Sequence, residues 1–371
     1  MTDLIASVHT PALRSGRALR TYGVARALAE LAGGVRIVYV RFGADEPDAA
    51  FRAIPGVELH EVVSSRGPAR IAAFARARLA GVPPGLARGV SPELARAVER
   101  LADPDGRVVA DGPTEAASLA GLARRRPVVY NAHNLESAFR HELAERGFGS
   151  PRQLRRFERS LLARSSESWM VSEGDVAAAA ELRPGARLRL VPNVVDVAAI
   201  EPVVADTAAR TAVLVANFSY EPNRTALAFL LDEVAPRLWR ELPEARLRIV
   251  GAGLPGPPSS DPRVEALGFV DDVRDAYRGA SAVVVPLLQG GGTPLKLVEA
   301  LAYGLPVVAT GRAAAALGLS DGVECLVADG PEAYAATLAR VLREGAPEVA
   351  ARGRAAAADR YSVEALVRAL G

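Results

Sequence analysis

Lys296 is the only lysine in a chain that carries 44 arginines, and it follows three glycines in the stretch 289–309, QGGGTPLKLVEALAYGLPVVA. Gly290, Gly291 and Gly292 cannot form a helix interior, because glycine loses too much backbone entropy there. Thr293 suits an N-cap and Pro294 the first helical position. The apolar run from Leu295 to Ala302 then predicts a helix, which Gly304, Leu305 and Pro306 end. Lys296 falls in the first turn, where unpaired N–H groups already make the potential positive and a cation costs roughly 0.3–1 kcal/mol. A bound anion satisfies the lysine and those amides together. A second reading fits the same residues: a lysine left in an arginine- and alanine-rich composition, its side chain snorkelling to water. Two further residues carry chemistry. Glu299 is a carboxylate on an otherwise apolar helix, a setting in which such a group usually has a partner. His133 closes the apolar run "VVYNAH", where it either faces a ligand or is simply a hydrogen-bonded strand-end residue.

Composition bounds the classes of function. The chain has 371 residues, half of them hydrophobic, which suggests two or three domains with large cores. Cys325 is the only cysteine, so no internal disulfide and no multi-cysteine metal site is expected. His9, His60, His133 and His141 lack metal-ligand spacing. No apolar run approaches the length of a transmembrane helix, and the N-terminus does not resemble a signal peptide. The expectation is a cytoplasmic protein. The net charge of +2 and the lack of a basic stripe interleaved with aromatics argue against nucleic acid as a partner. Arg70, Arg76 and Arg78 in "PARIAAFARARLAG" fit either a basic amphipathic helix in peripheral contact with a membrane, at its inner face, or an ordinary solvated helix face.

The elements that must position these residues alternate strand and helix. Apolar runs at 4–9, 35–41, 57–63, 108–111, 128–133, 167–172 and 188–193 read as strands with helices between most of them. After a Pro- and Ala-rich connection the pattern restarts, with strands at 212–217, 245–251, 264–270, 282–287, 306–310 and 325–329 and a long helix over 223–240. Such alternation predicts an α/β protein with parallel sheets covered on both faces. Two runs predict two Rossmann-like domains facing across a cleft, with ligands at the carboxyl ends of the strands. The expected division is 1–184 and 185–355, with a C-terminal helix over about 356–371 packing back on the first domain. "GAGLPG" (251–256) matches GxGxxG, yet Pro255, Pro257 and Pro258 prevent the helix that a dinucleotide site needs, so it reads as a turn.

In this order, "NAHNLES" (131–137), "VPNVVD" (191–196), "ANFSYEPN" (216–223), "LRIVGAG", "LGFVDDVRDAYRGASAVVVPL" (267–287) and the Lys296 segment resemble the group 1 (family 4) retaining glycosyltransferases of the GT-B fold. The resemblance runs over nearly the whole chain. It implies transfer of a sugar from a nucleotide diphosphate sugar to an acceptor hydroxyl with retention, without a metal or other cofactor. It leaves a saccharide, lipid-linked or small-molecule acceptor open. It places Glu299 on the ribose hydroxyls and the amides just before and at the helix start, around Gly292 to Leu295, at the diphosphate, so that Gly291, Gly292, Thr293, Pro294 and Leu295 are the expected donor-binding residues of that loop. Phe269 and Val270 fall against the base, Gly16 near the diphosphate, and His133 at the donor sugar. Asn134 and Glu136 either meet the acceptor or close their loop. The sequence also departs from the family. Gly291 stands where a first signature glutamate is usual, and Asn217 and Asn223 stand where many members carry an arginine and a lysine. Lys296 then replaces the lost charge, with Arg224 a weaker candidate, and His133 and Lys296 are the expected catalytic pair. A sugar-nucleotide epimerase of the same fold and a non-catalytic binder of nucleotide sugars are the rival readings.

Overall fold

A computed structural model describes residues 2–13, 16–41, 46–138, 149–254, 256–270, 272–290 and 293–371. The chain divides into two compact units, one of Met1–Val194 with Val363–Gly371 and one of Val195–Ser362.

The first unit holds a seven-stranded sheet built from β1 (Asp3–Ser7), β2 (Val35–Arg41), β3 (Val57–Val63), β4 (Val108–Ala110), β5 (Val129–Asn131), β6 (Glu167–Met170) and β7 (Leu188–Leu190). The spatial order is β3-β2-β1-β4-β5-β6-β7, with every pair parallel. Side chains alternate across it, as a pleated strand requires. Leu4, Ala6, Val38 and Val40 enter the core on one face, and Ile5 and Ile37 enter the core on the other. The middles of the central strands are therefore apolar on both faces, as at Leu4, Ile5 and Ala6 of β1 and throughout β4, whereas β3 is an edge strand and largely open on both sides.

The second unit repeats the plan with β8 (Thr211–Val215), β9 (Arg246–Val250), β10 (Val264–Gly268), β11 (Ala282–Val285), β12 (Val307–Ala309) and β13 (Leu326–Val327). Its order is β10-β9-β8-β11-β12-β13, again all parallel. Ala212 and Leu214 face one core and Val213 the other. In each sheet the winding reverses at one place, between β1 and β4 in the first and between β8 and β11 in the second. Such a reversal parts the two following loops and opens a ligand crevice at the strand ends.

Several boundaries differ from the sequence expectation. The strand Leu188–Leu190 pairs with β6, so the first unit runs on to Val194 rather than ending at 184. The C-terminal segment is two helices, Pro347–Tyr361 and Val363–Leu370, parted at Ser362, and only the second joins the first unit. That helix lies on the helix Gly16–Ala32, where a Cβ on Gly23 would stand 2.6 Å from Val194 Cγ2 and 3.8 Å from Leu366 Cδ2. The long helix expected over 223–240 is Glu221–Ala228, a π-helical stretch Phe229–Val234 and Ala235–Glu241, with Pro236 entering just after the π stretch. A proline cannot donate the intrahelical hydrogen bond at that point, and the widened turn absorbs the fault.

Candidate functional site

The second unit's reversal point gathers the residues around Lys296. The helix Leu295–Ala302 starts after β11, and Pro294 rather than Thr293 is its N-cap, with no side-chain cap. Proline carries no N–H, so it stands at a helix start without leaving a donor unpaired, and its carbonyl accepts from Leu297 N at 2.8 Å. Thr293 is buried just before it. The helix Glu221–Ala228 starts after β8, the neighbouring strand. The two helix starts are tied together. Gln289 Nε2 donates to Thr225 Oγ1 at 2.9 Å, and a Cβ on Gly290 would lie 3.7 Å from Pro222. Lys296 Nζ donates to Asn223 Oδ1. The Asn223 amide is itself fixed, because its Nδ2 donates to Asn217 O at 2.7 Å. Asn217 Oδ1 in turn accepts from Ser219 N at 2.9 Å.

Burial lowers the Lys296 pKa to about 8 and raises that of Glu299 to about 7. Among the described residues neither forms an ion pair, although they lie one turn apart on the same helix. The Glu299 charge instead acts on Tyr277 and Tyr303, whose rings are 4.6 Å apart. Arg224 is exposed and spends its Nη1 on Phe218 O and Ser219 O, so it braces the loop after β8. Phe269 and Val270 follow β10, two strands from β8. Phe269 is 72% exposed and Val270 is half-buried against the core. Gly291 and Gly292 lie outside the described residues. Residues 251–254 follow β9 without forming a helix, and Pro255 lies outside the described residues. Gly251, at φ +136, lets the chain close against Ala216 O, where no Cβ fits.

The first unit's reversal point gathers a denser set. His133, just past β5, is buried, and its Nε2 lies 3.1 Å from both the backbone carbonyl and Oδ1 of Asp111. Both neighbours are acceptors, so Nε2 bears the proton and Nδ1 is left as an acceptor. Burial lowers its pKa, against the Asp111 carboxylate, which raises it, and the Arg17 and Arg20 cations add to the lowering. Asp111 also accepts from Thr21 Oγ1 at 2.6 Å and from Asn131 Nδ2 at 2.8 Å. Burial works to raise its pKa, but His133 first, then the Thr21 hydroxyl and the Arg17 cation, outweigh it and lower it to about 2. Arg20, fully buried, donates to Asn131 Oδ1, Val191 O and Asn193 Oδ1. Glu115 accepts from Val8 N at 2.9 Å, and burial raises its pKa to about 7.

Four buried polar atoms of this cluster lack a partner among the described residues: His133 Nδ1, Glu115 Oε2, Arg20 Nη2 and Tyr130 OH. Such atoms are costly and rare in folded proteins, and their concentration at one set of strand ends marks a polar site. Gly16 begins the helix Gly16–Ala32 beside it, followed by Arg17, which bonds His9. Asn134 and Glu136 lie in the loop after His133. Asp175 and Glu158 hold that loop, accepting from Leu135 N at 3.2 Å and from Ser137 N at 3.0 Å. Arg17, Arg20, Asp111 and Glu115 were not singled out by sequence. "VVADGPTE" offered one signal, a carboxylate directly after a buried strand.

Two parallel α/β sheets, each with its polar cluster at the reversal point, define a pair of Rossmann-like domains, the GT-B fold. Comparison with solved structures agrees. The chain is similar over its full length to HepE from Anabaena in complex with UDP and glucose, at 16% identity, 98% coverage of that chain and a TM-score of 0.71. It is likewise similar to a sucrose-phosphate synthase from Thermosynechococcus elongatus, at 18% identity, 100% and 97% coverage and a TM-score of 0.75. A TarM variant from S. aureus, in complex with Fondaparinux, alpha-GlcNAc-glycerol and UDP, matches at 10% identity, 100% and 98% coverage and a TM-score of 0.73. No curated protein matches the chain by sequence. Residues 209–344, within the second unit, match the family model described as "Glycosyl transferases group 1". Those residues are thus similar to the group 1 glycosyltransferases, and the chain as a whole has the fold of the solved structures above.

Proposed function

We propose that the chain transfers a sugar from a nucleotide diphosphate sugar to an acceptor hydroxyl, with retention at the anomeric carbon and without a metal ion. The observation that carries this reading is Lys296, a cation held by Asn223 at the start of two helices, at the reversal point of the second sheet. As the glycosidic bond breaks, negative charge grows on the departing diphosphate. Lys296 and the free amides of the helix start stabilise that charge where it develops. Glu299 accepts from the ribose hydroxyls, and Phe269 and Val270 lie along the base. His133 Nδ1, an acceptor on a neutral ring, takes a hydrogen bond from a hydroxyl of the donor sugar. Retention is implied by the family resemblance. Uridine is the first base to test, since the HepE and TarM complexes contain UDP.

The test is incubation with a panel of nucleotide diphosphate sugars, with and without candidate saccharide, lipid-linked and small-molecule acceptors, in chelator. Release of the nucleotide diphosphate, with the product's anomeric configuration read by NMR, is the expected outcome. An epimerised donor would make the chain an epimerase, binding without turnover would make it a binder only, and loss of activity to chelator would overturn the metal-free scheme.

A further inference from the structure

We propose that the outer face of the helix Pro68–Leu79, with the arginines beside it, docks the protein on an anionic lipid bilayer. A helix on a soluble domain normally turns its large apolar residues inward. This one does so only in part, with Phe74 packed against the core. Its fully buried residues are Ala73 and Ala77, while Ile71 is 69% and Leu79 is 89% exposed. Ile71, Ala75 and Leu79 follow one another at intervals of four, so they form one stripe about 12 Å long at 1.5 Å per residue. Ala75 is exposed as well. Val63, at the end of the edge strand β3 that leads into this segment, is 78% exposed.

The charge of the segment has one sign. From Val62 to Pro92 there are five arginines and no aspartate or glutamate. Two of the arginines serve the fold. Arg70 donates to Val90 O at 3.0 Å and to Arg88 O, and Arg78 donates to Val82 O at 2.5 Å. Arg66, Arg76 and Arg88 are exposed and have no acidic partner among the described residues. Arg76 lies on the helix's own outer side, Arg66 just before the helix, and Arg88 on the loop that Arg70 ties to it. The nearest acids in sequence are engaged: Glu61 pairs with Arg41 at 3.1 Å, and Glu93 accepts from Ser65 and Ser91.

Apolar side chains at an exposed helix face with free cations around them match the interface of an anionic bilayer, where the apolar stripe enters the acyl boundary and arginines meet lipid phosphates. A second copy of the chain is a poor occupant, because it would set arginine against arginine. Among the described residues no helix is long and apolar enough to cross a membrane, so the contact is peripheral.

The experiment is co-sedimentation of the full chain with vesicles of phosphatidylcholine alone and of phosphatidylcholine mixed with phosphatidylglycerol. The chain is expected to sediment with the anionic vesicles only, less so as salt rises. Arg66→Gln, Arg76→Gln and Arg88→Gln together lower the partition on the order of 100-fold. Ile71→Ser with Leu79→Ser lowers it at unchanged charge. All five side chains are exposed, so circular dichroism and the unfolding midpoint stay as in the parent protein. Failure to bind anionic vesicles, equal binding by either variant, or a dimer that Ile71→Ser with Leu79→Ser dissolves would each overturn the proposal.

Discussion

Lys296 is held partly buried at the end of a helix that disfavours its charge, and its pKa of about 8 makes its role testable by pH. A base whose folded pKa is lowered leaves the folded state with fewer protons than the unfolded one, so the apo protein gains stability as pH rises from about 8 towards the unfolded value. Affinity for a nucleotide diphosphate runs the other way. It needs the ammonium, so it should fall as pH climbs through about 8, as calorimetry across that range will read. Lys296→Met should remove that pH dependence, leave the apo protein as stable or more so, and cut turnover on the order of 100-fold, because the phosphate charge grows in the transition state. Near-parental turnover in Lys296→Met would leave the loop amides as the anion site. His133 calls for a different pattern. His133→Ala should lower turnover roughly 10- to 100-fold, the range of a hydrogen bond to a charged or developing charge, with nucleotide affinity little changed. Asp111→Asn should act in the same direction through the ring it orients, and add little in a His133→Ala background. Independent, additive losses would mean that Asp111 meets the ligand itself.

At the scale of elements, the local strand and helix pattern was readable because each central strand is a short apolar run bounded by glycine, proline or a charged residue, as in "VVAD" and "AVVVPL". The residues of the site were readable only where they sit in a local motif. Lys296 and Glu299 share one turn of one helix, so their spacing in the sequence made them candidates. Asp111, Arg20, Asn131 and Thr21 are far apart in sequence and meet only because β1, β4 and β5 are neighbours, a fact about strand order that periodicity does not contain. The tie between Lys296 and Asn223 is of the same kind, since it depends on β8 lying beside β11. It also yields a prediction. If a cation is needed at that point and its origin is immaterial, moving it from one helix start to the other should preserve function. Lys296→Met with Asn223→Lys should recover much of the turnover lost in Lys296→Met alone. Asn223→Lys alone sets two ammonium groups together and should lower stability, as chemical denaturation will measure. No recovery in the double variant would show that the lysine's path from its own helix matters.

At the scale of the whole molecule, the first unit is closed by the last residues of the chain. Val363, Leu366 and Leu370 lie one to two turns apart on the helix Val363–Leu370 and are buried at 2%, 1% and 2% exposure in the same core as Ile5, Val24 and Leu28. The close approach is set by Gly23, and Arg189 Nη1 fastens the end by donating to Ala369 O at 3.1 Å. The chain therefore leaves the first unit at Val194 and returns to it at Val363, which makes that unit discontinuous in sequence. Its helix Gly16–Ala32 has a partner, the helix Val363–Leu370, that lies far from it in sequence. Leu366→Ala deletes buried methyl groups from a contact that a helix of eight residues cannot close by shifting its backbone. Such deletions cost roughly 2–5 kcal/mol, and the cost rises with the cavity that remains. Urea unfolding followed by tryptophan fluorescence reads this directly, because Trp169 lies in the same core. Leu366→Met, which nearly conserves volume, should cost less than about 1.5 kcal/mol. If Leu366→Ala leaves the transition where it was, the terminal helix is an appendage, and the core of the first unit is complete at Val194.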